Sequence, residues 1–161
     1  MVKYFNTTIT KLKVPDEISR AHAVRYQVFV LEQGYTVEID RDNNDEKCHL
    51  WIATCDKEND DGTVEHNVDV GTVRLWPKEG GVAKLGRIAV LSSARGLSIG
   101  RKLCETFIEY CKNNGFHTIV LNSQIGRRGF YEKIGFRVEE GDDDIFDDSG
   151  TPHVRMWMRN L

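Results

Sequence analysis

Two spacings of apolar residues alternate along this chain. Between Ile18 and Gln33, Ile18, Ala21, Val24 or Arg25, Val28 and Phe29 recur at the spacing of a helix face. Asp16 or Ser19 is placed to cap that helix and Gly34 to end it. Leu50–Cys55 then reads as a strand. Asp56–Asn67 is polar, with Asp61-Gly62 as its turn signal, and reads as a hairpin loop. Val68–Trp76 is a second strand, ended by Pro77, and Val82–Leu91 a third. Connections this short predict an antiparallel meander.

The pattern then changes. Gly96–Asn113 carries Ile99, Leu103, Phe107, Tyr110 and Cys111 at helical spacing, with Gly115 as a stop, and His117–Asn122 is an apolar strand. Strand, helix and strand in that order predict a parallel βαβ unit with a right-handed crossover. Ile125–Ile134 reads as a short helix, Gly135–Val138 as the start of a strand and His153–Met158 as the last strand. The acidic, turn-rich stretch Glu139–Pro152 between them reads as a mobile loop. The fold class expected is α/β (α+β): a mixed central sheet of about six to seven strands flanked by about four helices.

Composition narrows the function. At 161 residues the chain is expected to be one domain over 1–161. A net charge of −3 without a basic stripe argues against nucleic acid as a partner. No stretch has the length of apolar residues a membrane span needs, and Met1–Thr10 does not read as a secretory signal. Cys48, Cys55, Cys104 and Cys111 form no close C-x-x-C pair, so no metal is expected and the thiols read as reduced, in a cytoplasmic or nuclear protein. Asp40–Glu46 and Glu139–Asp148 are acidic runs; bordering a pocket, they would favour a cationic substrate.

The candidate chemistry sits at the junction of the third strand and the long helix. Ser92-Ser93-Ala94 leads into Arg95-Gly96-Leu97-Ser98-Ile99-Gly100, followed by Arg101. Small residues let backbone N–H groups approach an anion, and the first helical turn adds unpaired donors and the positive end of the dipole. Such a loop suits a pyrophosphate, although taken alone it is equally an ordinary loop before a helix.

At these residues the chain resembles the GNAT superfamily of acetyltransferases. RGLSIG is similar to that family's R/Q-x-x-G-x-G/A motif, with Ser98 at a position usually held by glycine; its hydroxyl can donate to a phosphate. Gly86-Arg87-Ile88-Ala89-Val90 resembles the strand that binds the pantetheine arm, and Gly129–Phe136 resembles F-Y-x-x-x-G-F. Arg25–Gln33 and Gly150-Thr151-Pro152-His153 are similar to stretches of the small ElaA-like branch. The likeness runs from about Arg25 to Met158.

The resemblance implies the GNAT fold, with strands Val82–Leu91 and His117–Asn122 splayed apart. It implies transfer of an acetyl group from acetyl-CoA to a primary amine, by a monomer or homodimer. The cofactor would be held by Ile88, Ala89, Val90, by Arg95, Gly96, Leu97, Ser98, Ile99, Gly100 and Arg101, and by Asn122. Tyr131 would be the general acid, against the alternative of a packing tyrosine. Glu32 and His153 are candidates for the base, with His49 and Glu38 as further options. A non-catalytic acyl-CoA binding or sensing module is the alternative function, and Tyr131 argues against it.

Overall fold

The seven strands lie in one mixed sheet in the order β1-β2-β3-β4-β5-β7-β6. In the computed structural model, which describes residues 1–161, these are β1 (Lys3–Lys11), β2 (His49–Glu58), β3 (Val64–Lys78), β4 (Val82–Val90), β5 (Thr118–Gln124), β6 (Phe146–Asp148) and β7 (Thr151–Arg159). Four α-helices accompany them: α1 (Ile18–Arg25), α2 (Val37–Asp40), α3 (Ile99–Asn113) and α4 (Arg128–Ile134). The expected mixed sheet of six to seven strands and about four helices is thus present. No helix is long and apolar enough to cross a membrane.

The chain divides into two compact units, one of Met1–Arg74 with Arg87–Thr106, the other of Leu75–Gly86 with Phe107–Leu161. In the first, Leu12, Ile18, Ala21, Val24, Val28, Leu50, Ile52 and Ala89 form a buried cluster, with Val14, Phe29 and Leu91 packed against it. α1 therefore presents to β2 the face that its apolar spacing predicts. Gly71, on β3, lets α3 come close: a Cβ there would meet the Leu103 side chain at 3.1 Å and the Ile99 side chain and Ala89 carbonyl at 3.3 Å. In the second unit, β4 and β5 are parallel, as the βαβ reading requires, but their ladder runs only from Val82↔Thr118 to Leu85↔Leu121. β4 continues to Val90 and β5 to Gln124, the latter paired on its other side with β7. No β4–β5 pair follows Leu85↔Leu121 in that ladder.

Several boundaries differ from those expected. β1 has no counterpart in the sequence reading, because none of its residues is buried and a register irregularity between Phe5 and Thr8 breaks its alternation. The hairpin loop shrinks to Asn59–Thr63, since β2 and β3 extend beyond the core as a polar ribbon held by backbone pairing. Pro77 lies inside β3 rather than ending it. The helix expected over Ile18–Gln33 is α-helical only to Arg25 and π-helical over Tyr26–Glu32, with Gln33 N–H donating to the Val28 carbonyl. Gly135–Val138 contributes one bridge, Arg137↔Trp157, instead of a strand. The segment expected to be a mobile loop contains β6, antiparallel to β7, and its Glu139 and Asp142 are paired with Arg159 and Arg155.

Candidate functional site

In the first unit the strand-to-helix junction is built as an exposed backbone loop. Gly96 adopts φ +83° and Ser98 φ +61°, so α3 begins at Ile99 and not at Gly96. The first helical bond is Lys102 N–H to the Ser98 carbonyl, at 3.0 Å. Ile99, Gly100 and Arg101 therefore stand in the first turn, where N–H groups have no intrahelical acceptor and the dipole is positive. Arg95 to Ser98 are exposed, whereas Ile99 is buried and anchors the turn beside Leu103. Arg101 is exposed and lies 3.8 Å from Glu105. Ser98 pays for a left-handed conformation that glycine adopts freely. Ser98→Gly is expected to raise stability by about 0.5–1 kcal/mol, after the entropy glycine loses on folding; thermal denaturation of the two proteins checks this.

Arg95 has a role that the sequence reading did not contain. Its guanidinium donates to both Glu32 carboxylate oxygens, at 2.5 and 2.7 Å, and to the Val90 carbonyl, at 3.0 and 3.2 Å. The hydrogen bond that Arg95 donates to Glu32 raises the Arg95 pKa. One side chain thus ties the loop to the end of β4 and to the end of the π-helical turn. It brings together three sequence-predicted elements: Glu32, the β4 terminus and the glycine loop. Ile88 and Val90 are half-buried and Ala89 is buried.

In the second unit, Asn122 is half-buried on β5 opposite Arg155 of β7. His153 is buried on β7 opposite Gln124, its Nδ1 2.7 Å from the Thr151 carbonyl and its ring stacked on Phe146 at 6.2 Å. Tyr131 is only 5 % exposed. Its ring meets the edges of Phe130 and Phe136 at 5.0 and 6.0 Å, and its carbonyl accepts from Gly135 and Phe136. Gly135 makes that reversal at φ +120°.

Of the other candidate bases, His49 is half-buried at the start of β2, where burial and then Lys11 lower its pKa, and Glu38 is exposed on α2. None of the four cysteines is in a disulfide, and all four are buried. Burial pushes the Cys104 and Cys111 thiols up to about 12, which makes them poor nucleophiles. No group of three or more His, Cys, Asp or Glu side chains is placed to hold a metal ion.

The acidic run Asp40–Glu46 corrects its sequence reading. Asp40, Asp42 and Asp45 turn inward onto arginines. Arg25, fully buried, donates to Asp40 at 2.9 Å and to Asp45 at 2.8 Å. Arg74 clamps Asp42 at 2.9 and 3.0 Å and reaches Asp45 at 3.2 Å. His22 Nε2 completes the group, 2.8 Å from Asp45. Arg25 was legible as an alternative to Val24 on the apolar face of α1; a cation there signals a buried anion.

Comparison with known proteins places the chain. The model of the "Acetyltransferase (GNAT) family" matches residues 16–136. The chain belongs to the GNAT family of acetyltransferases. A Bacillus subtilis protein, the uncharacterized N-acetyltransferase YjcF, is 30% identical over 145 residues, covering 89% of this chain and 94% of that protein. An N-acetyltransferase-type crystal structure from Lactobacillus plantarum superposes with a TM-score of 0.80 at 26% identity, covering 98% of this chain and all (100%) of that one. Escherichia coli ElaA shares the fold at a TM-score of 0.74 and 20% identity, over 94% of this chain and 99% of its own. A GNAT acetyltransferase from Elizabethkingia anophelis, solved with acetyl-CoA bound, shares it at 0.66 and 20%, over 96% and 98% of the two chains.

Proposed function

We propose that residues 1–161 act as one N-acetyltransferase domain that moves the acetyl group of acetyl-CoA to a primary amine. The observation that carries the reading is the exposed Arg95–Ser98 loop, with its left-handed residues, opening onto the first turn of α3 in a chain of this family. Its N–H groups suit the two phosphates of CoA. β4 beyond Leu85 leaves the β5 ladder, and the amide-rich pantetheine arm can pair with a free strand edge as an added strand would. The acetyl-CoA bound to the Elizabethkingia anophelis protein of the same fold supports this choice of donor.

In this reading Ile88, Ala89 and Val90 orient the pantetheine arm, Gly96 to Arg101 hold the pyrophosphate, and Asn122 contributes a polar contact. A neutral amine nitrogen attacks the thioester carbon, and a backbone N–H near Val90 stabilises the oxyanion. The C–S bond breaks as Tyr131 gives its phenolic proton to the departing thiolate, and the ammonium proton leaves to a base or to water. Glu32 and His153 remain the proposed bases. Glu32 works there as the partner of Arg95, so the same contact that fixes the loop fixes its carboxylate. Glu140, Asp143 and Asp144 are exposed acids available to a small cationic or lysine-like acceptor. Acetyl-CoA at about a hundredfold over its Kd is expected to stabilise the protein by about 2.7 kcal/mol. Differential scanning calorimetry reads this, and an unchanged midpoint at saturating acetyl-CoA counts against the reading.

A further inference from the structure

Arg87 stands on β4, immediately before Ile88, and its backbone has φ +49°. For a residue with a long side chain that conformation costs about 1–2 kcal/mol and persists only where the surroundings fix it. The surroundings here are specific. The Arg87 guanidinium donates to the Asp40 carbonyl at 3.1 Å, to the Ile39 carbonyl at 3.2 Å and to Asp42 Oδ2 at 3.3 Å. Two of these acceptors are themselves held. The Asp40 carbonyl also accepts from Arg25 at 2.9 Å, and the Asp42 carboxylate also accepts from both terminal nitrogens of Arg74, one of them on the Oδ2 that Arg87 reaches. Arg25 and Arg74 are almost completely buried. The chain of contacts therefore ends on rigid elements, α1 and β3, and its free end is the backbone turn at Arg87.

That turn lies just past the last β4–β5 pair, Leu85↔Leu121, and just before the backbone that the proposed function gives to the pantetheine arm. A side-chain anchor 3 Å from fixed carbonyls sets the direction in which the next three peptide groups point.

We propose that Arg87 is a positioning residue for acetyl transfer: Asp40, Ile39 and Asp42 hold its guanidinium, and through it the backbone of Ile88, Ala89 and Val90 is presented at one angle to the thioester. Arg87 does not touch the reacting atoms. The inference rests on the acetyl-CoA reading of β4, and its mechanical half is independent of it. Asp42 belongs to the same device, because it joins Arg87 to Arg74.

The test compares Arg87→Ala and Asp42→Asn with Arg20→Gln, which breaks the Arg20–Asp69 pair in the same unit without touching this network. Two readouts are taken: kcat and KM for acetyl-CoA, and the amide shifts and hydrogen exchange of Ile88, Ala89 and Val90. Arg87→Ala is expected to lower kcat by about tenfold or more, since misplacement of about an ångström is enough for that. KM for acetyl-CoA should change by less than about threefold. The three amides should shift and exchange faster, with Asp42→Asn intermediate and Arg20→Gln like the wild type. Should alanine unfold the chain, Arg87→Lys, which keeps the charge but not the forked donors, is read the same way. Folded variants with unmoved amides overturn the inference whatever the activity. Displaced amides with kcat within about twofold of wild type overturn the positioning role. A wild type that releases no thiol with any amine refutes the transferase reading, while the amide readout still decides the anchor.

Discussion

Arg25→Ala is expected to cost about 3–5 kcal/mol of folding stability, the loss seen when one partner of a buried ion pair is removed. That is a large part of the roughly 5–15 kcal/mol that holds a typical domain. The reason is not the strength of the pairs but what is left behind. Arg25 has no exposed surface, and it donates to two carboxylates that are themselves only 4 % and 6 % exposed. With alanine, Asp40 and Asp45 keep their burial and lose their main counter-charge. Chemical denaturation of the variant and the wild type measures the difference. The same pair sets an acid limit. Burial alone would raise the Asp45 pKa, but the hydrogen bond and charge of Arg25, followed by His22 and Arg74, hold it down to about 2. An aspartate in an unfolded chain titrates near 3.9. A group whose pKa is depressed on folding stabilises the protein above the unfolded value, so this contribution is complete above about pH 4 and is lost as pH falls towards 2. Arg25→Ala should therefore flatten the fall in stability between those limits.

Tyr131→Phe is expected to lower turnover by about a hundredfold or more, the range for a positioned general acid, while leaving acetyl-CoA affinity nearly unchanged. The substitution removes one oxygen from a side chain that is 5 % exposed and keeps the ring that packs edge-on against Phe130 and Phe136. A packing tyrosine and a proton donor are thereby separated: the first predicts normal turnover with a small stability change, the second a fall in kcat at constant KM. Steady-state kinetics with direct acetyl-CoA titration decides between them. The pH profile adds a sign, because an acid that must be protonated gives activity that falls on the alkaline side.

The parts of this fold legible in the sequence are those whose pattern comes from burial. The stripes Ile18–Val28 and Ile99–Cys111 face cores, and β2 with the inner part of β3 is apolar for the same reason. The parts missed are held by other forces. β1 has no fully buried residue and its pairing with β2 is interrupted between Phe5 and Thr8, so no clear alternation announces it. β6 hides among Glu139–Pro152, where acidic side chains suggested a loop.

The site shows the same division. The glycine loop, the Val82–Leu91 strand and the stretch around Tyr131 are legible as candidates, because each resembles a short family motif. The partners of Arg95 were not, since Glu32 is 63 positions away and meets it only through the fold. The inward turn of Asp40, Asp42 and Asp45 is not legible in the acidic run itself, because a row of aspartates looks the same in sequence whether it meets solvent or three arginines. A cation on an apolar stripe, Arg25, was the one local sign that the charges were turned inward.

The most direct test of the account is release of CoA thiol from acetyl-CoA, followed with a thiol reagent, against a panel of polyamines, amino sugars and lysine peptides. Saturable, amine-dependent release is expected, with acetylated amine formed in equal amount and with the rate lost in Tyr131→Phe. Tight acetyl-CoA binding with no thiol release on any amine would contradict it and leave a protein that binds acyl-CoA without transferring the acyl group.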